Sequence, residues 1–268
     1  MDDFFGLEGK AAIVVGGGLG IGESTSLYLA RAGCDVAVVD IDAERAERVA
    51  DKVRALGRKA TAIVGDALDP AQAAWIIDKA RADLGRLDKL VTIIGIAAFE
   101  PTLHMTPETW DKDQSRNLRF AFFLAQQFAL RLIEDKRPGS IVFICSVSGL
   151  LASIQHVAYG AAKAGLINLA KTLAVEWAAY GIRVNALSPG GVDTPRIRAN
   201  RPVKGGGTGT AESPIPMQRP ATTDEIAGVV LFLVSDLASY VTGHNLHVDG
   251  GWMAANVGLP LSIVSREA

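Results

Sequence analysis

Seven short runs rich in Val, Ile and Ala recur along the chain, and most are followed by a longer segment with helical spacing of its apolar residues. Continuous apolar runs are typical of strands buried on both faces, and their alternation with helices favours a parallel sheet. The sequence therefore predicts an α/β fold, a doubly wound (Rossmann) domain whose seven-stranded parallel sheet is flanked by helices. The predicted strands are residues 11–15, 35–39, 60–64, 88–94, 140–145, 182–187 and 244–248, and the predicted helices are residues 21–32, 43–56, 70–84, 107–135, 157–180 and 223–234.

The organisation of the chain favours a single domain. Its 268 residues, of which 49% are hydrophobic, suffice for one sizeable core, and no linker divides them. One compositional break lies at 194–220, where basic residues precede a glycine-rich run and three prolines, a composition typical of irregular backbone. We therefore predict one domain over residues 1–268 with a mobile substrate lid at about 194–220. The basic residues of this lid are Arg196, Arg198, Arg201 and Lys204.

Charge and cysteine content argue against several classes of partner and site. Lys and Arg total 27 against 29 Asp and Glu, so no basic excess favours nucleic acid. The apolar stretch 226–234 is about half of the roughly 20 residues that a membrane span needs, and residues 1–5 do not resemble a signal peptide. We expect a cytoplasmic protein without a membrane partner. Two cysteines cannot build a disulfide framework, and the histidines show no metal-ligand spacing, so no metal is expected.

A glycine cluster follows the first predicted strand directly and precedes a predicted helix. Gly16, Gly20 and Gly22 fit a GxxxGxG spacing, whereas the strict GxGxxG spacing fails in every register. Glycine lets the backbone approach a phosphate closely, and the start of a helix supplies free N–H donors. The cluster taken alone is also compatible with a tight turn that binds no ligand.

The end of the second predicted strand carries a carboxylate, Asp40. An acidic group at this place accepts hydrogen bonds from the adenosine ribose hydroxyls and repels the 2′-phosphate of NADP. Leu19 in the glycine cluster and Ile41-Asp42 after the strand leave no basic residue where an NADP enzyme would need one. We therefore predict NAD as the cofactor.

A serine, a tyrosine and a lysine form a second group of interest. Tyr159 and Lys163 are four residues apart in a predicted helix, so both side chains project from one face. A phenol is a poor base at neutral pH, and a nearby ammonium favours the phenolate. Ser146 precedes Tyr159 by thirteen residues and follows the fifth predicted strand.

These features together resemble the short-chain dehydrogenase/reductase family, in its short, non-extended branch. The resemblance rests on the glycine spacing, on Asp40 and on the set of Ser146, Tyr159 and Lys163. It also includes Asn117, a Pro189-Gly190 turn and a Val-Asp-Gly-Gly sequence at 248–251, so it covers nearly the whole chain. It implies hydride transfer between the nicotinamide and a secondary alcohol or ketone.

The resemblance also implies a role for each site residue. Tyr159 would exchange a proton with the substrate, Ser146 would bind the substrate oxygen, Lys163 would lower the pKa of Tyr159 and hold the nicotinamide ribose, and Asn117 would position a water that links Lys163 to solvent. The implied cofactor contacts are Tyr159 and Lys163 together with Gly16, Gly18, Leu19, Gly20, Ile21, Gly22, Asp40, Ile41, Asp66, Ala67, Gly95, Pro189, Gly190, Val192 and Thr194.

A homotetramer is the assembly that the resemblance implies, with the helices bearing Asn117 and Tyr159 buried against their copies. Apolar residues between 118 and 128 agree, because they supply more apolar surface than one sheet can cover. They are Leu118, Phe120, Phe122, Phe123, Leu124 and Phe128.

The chain departs from the family pattern at two places. Thr92-Ile93-Ile94-Gly95 stands where the family usually has Asn-Asn-Ala-Gly, which puts cofactor affinity in doubt, and Val15 replaces a threonine. A nucleotide-binding regulatory protein without turnover is therefore one alternative. A Cys145–His156 nucleophile is another, although Cys145 is expected to be buried and to face away from Ser146.

The substrate is predicted only by class. The implied pocket is mostly apolar, which favours a hydrophobic or cyclic secondary alcohol, and the basic lid leaves a 3-oxoacyl-carrier-protein-type reductase as an alternative. The implied pocket residues are Ala97, Ala98, Phe99, Ser148, Leu150, Gln155, Gly191 and parts of 195–217.

Overall fold

A computed structural model describes residues 3–200 and 215–255 and contains one seven-stranded sheet in the order β3-β2-β1-β4-β5-β6-β7. Every pair of neighbouring strands is parallel, as the sequence predicts. The predicted strand 88–94 is shorter than expected, because pairing with β1 and β5 ends at Thr92. The strands are β1 (Ala11–Val15), β2 (Asp35–Asp40), β3 (Ala60–Val64), β4 (Lys89–Thr92), β5 (Gly139–Ile144), β6 (Ile182–Pro189) and β7 (Asn245–Val248).

Helices cover both faces of the sheet, and local signals set several of their ends. Asp42 caps the second helix through the Arg45 N–H, and Thr222 and Glu225 form a capping box on the last. The helices are α1 (Ile21–Arg31), α2 (Ala43–Ala55), α3 (Pro70–Leu84), α4 (Pro107–Gln114), α5 (Phe120–Glu134), α6 (Val157–Trp177), α7 (Pro195–Asn200) and α8 (Thr223–Val234). None of the helices in the described ranges is long and apolar enough to cross a membrane.

The predicted helix 107–135 is interrupted. A π-helical segment, Ser115–Arg119, separates α4 from α5. Within it, the Asn117 side chain donates to the carbonyl of Asp113 at 2.9 Å, four residues earlier. This bond competes for a carbonyl that the regular helix would use itself, which favours a locally wider turn.

Alternate residues of each strand enter two separate cores. On β1, Ala11, Ile13 and Val15 contribute to one core, while Ala12 and Val14 contribute to the other. Both faces of the sheet are therefore covered, which explains why its strands read as continuous apolar runs. The strand order reverses between β1 and β4, and ligands of doubly wound sheets bind at the carboxyl ends of the strands at such a point.

The predicted lid is described only in part. Residues 194–200 form the start of this segment and contain the short helix α7, where the composition predicts irregular backbone. Residues 215–220 return the chain toward α8. Arg201 and Lys204 lie outside the described residues. The mobility of the lid stays a prediction.

Candidate active site

A cleft of about 460 Å³ opens at the carboxyl ends of the strands, on both sides of the reversal in strand order. Segments that follow β1, β2, β3, β4, β5 and β6 all contribute to its lining. Most of the predicted site residues are found there: Gly16, Leu19, Gly20, Ile21, Asp40, Ile41, Asp66, Ala67, Gly95, Ser146, Tyr159, Lys163, Pro189, Gly190, Val192 and Thr194.

The glycine cluster forms the floor between β1 and α1. Gly16 and Gly20 adopt φ values of 82° and 60°, which favour glycine, and α1 begins directly after Gly20. A Cβ on Gly22 would lie 1.9 Å from the carbonyl oxygen of Gly16, so Gly22 allows the helix to approach the loop closely. Gly18 and Gly22 lie outside the cleft lining, and their direct contact with the cofactor stays a prediction.

Asp40 at the end of β2 is held by three donors. Its Oδ2 accepts from the Gly18 N–H at 3.2 Å, and its Oδ1 accepts from the Asp42 N–H and from Arg45 Nη2, both at 3.1 Å. Each carboxylate oxygen has two acceptor positions, so Oδ2 keeps one for a ribose hydroxyl. Asp40 thus lines the cleft with one acceptor position of Oδ2 unused by the described residues.

Arg45 was missed in the sequence reading, which placed no basic residue near the end of β2. It lies in the first turn of α2 and lines the cleft beside Asp40 and Ile41. The sequence contains a signal for Arg45, its position in the first turn of a predicted helix. Side chains there project back toward the helix N-terminus, here toward the end of β2.

Ser146, Tyr159 and Lys163 converge on the cleft as predicted. Ser146 follows β5, and its Oγ accepts from the Ser148 N–H at 3.1 Å. Tyr159 lies in the first turn of α6 and Lys163 one turn later, with the Lys163 Nζ 5.7 Å from the centre of the Tyr159 ring. Lys163 Nζ also donates to the Ile144 carbonyl at 2.9 Å, which fixes the lysine beneath the end of β5.

The pKa values of this group differ from the sequence-based expectation. Burial raises the pKa of Tyr159, and the Ser146 hydroxyl opposes this shift only in part. Burial also lowers the pKa of Lys163 to about 8, which weakens it as a permanent positive charge. Burial therefore outweighs the groups that lower the Tyr159 pKa, and the expected effect of Lys163 on it stays a prediction.

Asn117 is fully buried and lies behind the cleft, not in its lining. Its Oδ1 accepts from the Ile96 N–H at 3.0 Å, and its Nδ2 donates to the carbonyls of Ile96 and Asp113. A Cβ on Gly95 would lie 3.1 Å from Lys163 Nζ and 3.5 Å from Asn117 Oδ1. Asn117 and Lys163 therefore approach the same glycine.

Cys145 and His156 do not form a nucleophilic pair. Cys145 is 3% exposed within the core, and burial raises its pKa to about 12, which disfavours the thiolate. The His156 ring contacts Phe99 at 4.4 Å and Tyr159 at 5.7 Å between ring centres, while its Nδ1 is 2.9 Å from the Ile154 carbonyl oxygen. His156 is thus part of an aromatic wall beside Tyr159.

The replaced family motif after β4 is accommodated by apolar packing. Ile93 packs against one core and Ile94 against the other, and the Ile93 N–H still donates to the Val15 carbonyl at 2.8 Å. Opposite them, Arg196 of α7 donates to the Gly95 carbonyl at 3.3 Å across the cleft. The departure from the family pattern therefore leaves the strand spacing intact.

Comparison with known proteins identifies the family. A family model described as enoyl-(acyl carrier protein) reductase matches residues 16–253. Cis-4-hydroxycyclohexanecarboxylate dehydrogenase of Sinomonas cyclohexanicum is 38% identical over 246 residues, which cover 91% of this chain and 97% of the relative. The crystal structure of a short-chain type dehydrogenase/reductase from Mycobacterium marinum matches with a TM-score of 0.86 at 32% identity, over 94% of this chain and 99% of that one. The chain belongs to the short-chain dehydrogenase/reductase family.

Membership of the short-chain dehydrogenase/reductase family confirms the predicted fold and enzyme class. The chain is an oxidoreductase acting on CH–OH groups or the corresponding ketones. A further match, with a TM-score of 0.85 at 30% identity over 94% of this chain and 97% of that one, is 7α-hydroxysteroid dehydrogenase complexed with NADH and 7-oxo glycochenodeoxycholic acid.

The nicotinamide cofactor of short-chain dehydrogenases fits the residues of the cleft. Asp40 ends β2 and Ser146 follows β5, which lies three strands away in the sheet, about 14 Å at the spacing of parallel strands. The glycine loop lies between them and presents backbone without side chains at Gly16 and Gly20. Asp40, the glycine loop and the Tyr159–Lys163 pair therefore follow one another along one groove, in an order that fits a dinucleotide.

Proposed function

We propose that this protein is an NAD-dependent oxidoreductase that interconverts a secondary alcohol and its ketone. The observation that carries the proposal is one continuous cleft that joins Asp40 and the glycine loop to Ser146, Tyr159 and Lys163. A cofactor held at the first two features would reach the last three, so binding and chemistry share one groove.

The chain's own residues supply proton transfer and charge stabilisation. NAD, when bound, supplies the hydride acceptor. Tyr159 as the phenolate accepts the proton of the substrate hydroxyl, and Ser146 donates a hydrogen bond to the substrate oxygen as charge develops on it. Lys163, anchored to the Ile144 carbonyl, holds the nicotinamide ribose. Because both N–H donors of the Asn117 amide are already used, a relay water beside Lys163 would bind the backbone that Asn117 positions.

A hydrophobic or cyclic alcohol is the substrate class we propose. Phe99, which packs against the His156 ring, is 72% exposed, and Ile154, whose carbonyl oxygen lies 2.9 Å from His156 Nδ1, is 91% exposed. Exposed apolar side chains therefore lie next to the ring that packs on Tyr159. The Ser153 hydroxyl donates to Ser148 Oγ at 3.0 Å, so these two hydroxyls already bond to each other. The named ring compounds of two matching proteins, a hydroxycyclohexanecarboxylate and a bile acid derivative, agree with this class.

A carrier-protein-bound oxoacyl substrate is the second candidate. The description of the matching family model and the basic start of the lid favour it. Arg198 donates to both carboxylate oxygens of Asp193 at 2.9 Å, whereas Arg196 lines the cleft. A regulatory protein without turnover has no comparable support, because the Ser146, Tyr159 and Lys163 set is complete and lines the cleft.

NAD in preference to NADP is part of the proposal. Asp40 is 10% exposed at its side chain and would face the ribose 2′ position, where a phosphate would meet a like charge. Loss of the ribose hydrogen bonds together with this repulsion would favour NAD by about 10²-fold or more.

We also propose a cytoplasmic homotetramer, on narrower grounds than the sequence suggested. Phe120, Leu124 and Phe128 are at most 1% exposed and belong to the protein's own core, so they cannot serve as contact surface. Leu130 on α5 and Val175 on α6 are 48% and 81% exposed, and these two helices supply the apolar surface that a partner would cover.

The proposal is tested by screening purified protein for reduction of NAD and of NADP with a panel of secondary alcohols. The panel should pair cyclic apolar alcohols with open-chain polyols, and the reverse reaction should include a 3-oxoacyl thioester. We expect turnover with NAD and cyclic alcohols. Preferred reduction of the thioester would favour the second candidate, and absence of turnover with every substrate despite tight NADH binding would favour a regulatory role.

A further inference from the structure

Arg45 is the cation at the adenosine end of the cleft whose donors are least used. Its guanidinium makes one hydrogen bond within the described residues, from Nη2 to Asp40 Oδ1 at 3.1 Å, although arginine carries five N–H donors. Its Nε is buried without a hydrogen bond, 3.4 Å from Asp42 Oδ2. Arg45 nevertheless lines the cleft beside Asp40 and Ile41.

The neighbouring cations are committed elsewhere. Arg48 binds both oxygens of Glu23 at 2.8 Å and donates to the Gly18 carbonyl, while Lys52 contacts the same glutamate at 2.6 Å. Glu23 thus satisfies two cations that would otherwise compete for an anion. Arg45, by contrast, lies between Asp40 and Asp42, so the local charge of these three side chains is negative.

The glycine cluster lets Arg45 approach the cofactor groove. A Cβ on Gly18 would lie 2.8 Å from the Arg45 Cβ and 2.6 Å from Asp40 Oδ2, so only glycine allows both side chains to lie against the loop. Asp42 caps α2 through the Arg45 N–H, which fixes the backbone from which the guanidinium extends. The 36% exposure of the Arg45 side chain leaves its far end free to change partner.

We propose that Arg45 is a latent binding residue for the 2′-phosphate of NADP, and that its ion pair with Asp40 restrains it. The inference rests on the proposed cofactor site and adds a second selectivity residue to it. Asp40 opposes a 2′-phosphate in two ways: by direct repulsion and by occupying the guanidinium that would pair with the phosphate. A guanidinium binds phosphate oxygens through parallel N–H donors, so an Arg45 released from Asp40 would suit this ligand.

The consequence is a coupling between the two side chains. Removing Asp40 should improve binding of a 2′-phosphate more when Arg45 is present than when it is absent, because only the relief of direct repulsion remains without Arg45. If Arg45 served solely to stabilise α2, its removal would change 2′-phosphate binding equally little in both backgrounds.

The experiment is a double-mutant cycle read by binding, without turnover. Wild type, Asp40→Ala, Arg45→Ala and the double variant are titrated calorimetrically with AMP and with adenosine 2′,5′-bisphosphate, and by fluorescence with NADH and NADPH. Arg54→Ala is the matched control, because Arg54 lies on the same helix but pairs with Glu47 and Asp51 on the surface. Asp40→Asn repeats the cycle with a side chain of the same shape, should the alanine variant fold poorly.

We expect the affinity ratio of bisphosphate to AMP to rise by about tenfold or more in Asp40→Ala, the value of one charge-assisted hydrogen bond. Adding Arg45→Ala should lower the ratio again to the level set by the relief of repulsion alone, while Arg54→Ala should leave the ratio as in wild type. An equal ratio in Asp40→Ala and in the double variant would overturn the role of Arg45, yet intact NADH binding would leave the proposed function standing. If the wild-type protein bound neither NADH nor AMP, both the role of Arg45 and the proposed function would be wrong.

Discussion

Burial of Lys163 lowers the free energy of unfolding at neutral pH, because it lowers the pKa of this lysine from 10.5 to about 8. A buried ammonium is disfavoured, so the folded protein releases this proton more readily than the unfolded chain. Replacing Lys163 by Met keeps a side chain of similar length and removes the charge. We therefore predict that Lys163→Met changes how stability depends on pH, in addition to removing activity.

The sign follows from the number of protons bound in each state. Between about pH 8 and 10.5 the unfolded chain binds more protons than the folded one, so the Lys163 penalty falls as pH rises. At pH 7 the penalty is about 3 kcal/mol, and at about pH 9.5 it is about 1 kcal/mol. The stability of wild type relative to Lys163→Met should thus increase by about 2 kcal/mol over this range. The lost hydrogen bond to the Ile144 carbonyl lowers the stability of the variant at both pH values and cancels in this difference.

Urea denaturation at the two pH values measures the difference directly, provided that the slopes of the transitions agree. Lys171→Met serves as the control, because Lys171 is an exposed lysine on the same helix. It should preserve the wild-type pH dependence. The reasoning would be refuted if the stability difference between wild type and Lys163→Met were the same at both pH values. Lys163 would then bind its proton equally well in the folded and the unfolded chain.

Three further predictions concern the site and the assembly. Alcohol oxidation should accelerate with rising pH as the Tyr159 phenolate forms, because burial raises the Tyr159 pKa, and a pH–rate profile measures this. Ser146→Ala should lower kcat by about 10²-fold and move that profile to higher pH, because the Ser146 hydroxyl lowers the Tyr159 pKa. A profile that stayed in place would show that Ser146 does not affect the Tyr159 pKa. Sedimentation at micromolar concentration should give a tetramer that Val175→Asp weakens, whereas a wild-type monomer would contradict the proposed assembly.

Much of the fold was predictable because burial and secondary structure follow the same periodicity. Strands buried on both faces read as continuous apolar runs, and caps such as the Thr222–Glu225 box mark helix ends locally. The interruption at 115–119 was not predictable in this way. It depends on the Asn117 side chain reaching the carbonyls of Ile96 and Asp113, and the contact with Ile96 exists only after the chain has folded.

The site was predictable as a set of residues but not as a set of charges. Spacing along the chain identified Ser146, Tyr159 and Lys163, yet the directions of their pKa shifts follow from burial, which no spacing reveals. Arg45 lies five residues after Asp40, outside the segment that directly follows the strand. A helix that begins just after the strand brings a side chain from its first turn back to the same place.

The central claim is that Tyr159 transfers the proton in an NAD-dependent alcohol oxidation. The most direct test compares wild type and Tyr159→Phe for NADH formation from the best alcohol of the panel, with NADH affinity measured in parallel by fluorescence titration. The account predicts that the variant loses about 10²-fold or more in kcat while its affinity for NADH stays close to that of wild type. Retention of more than about a tenth of the wild-type rate would contradict it, because the proton would then leave by another group.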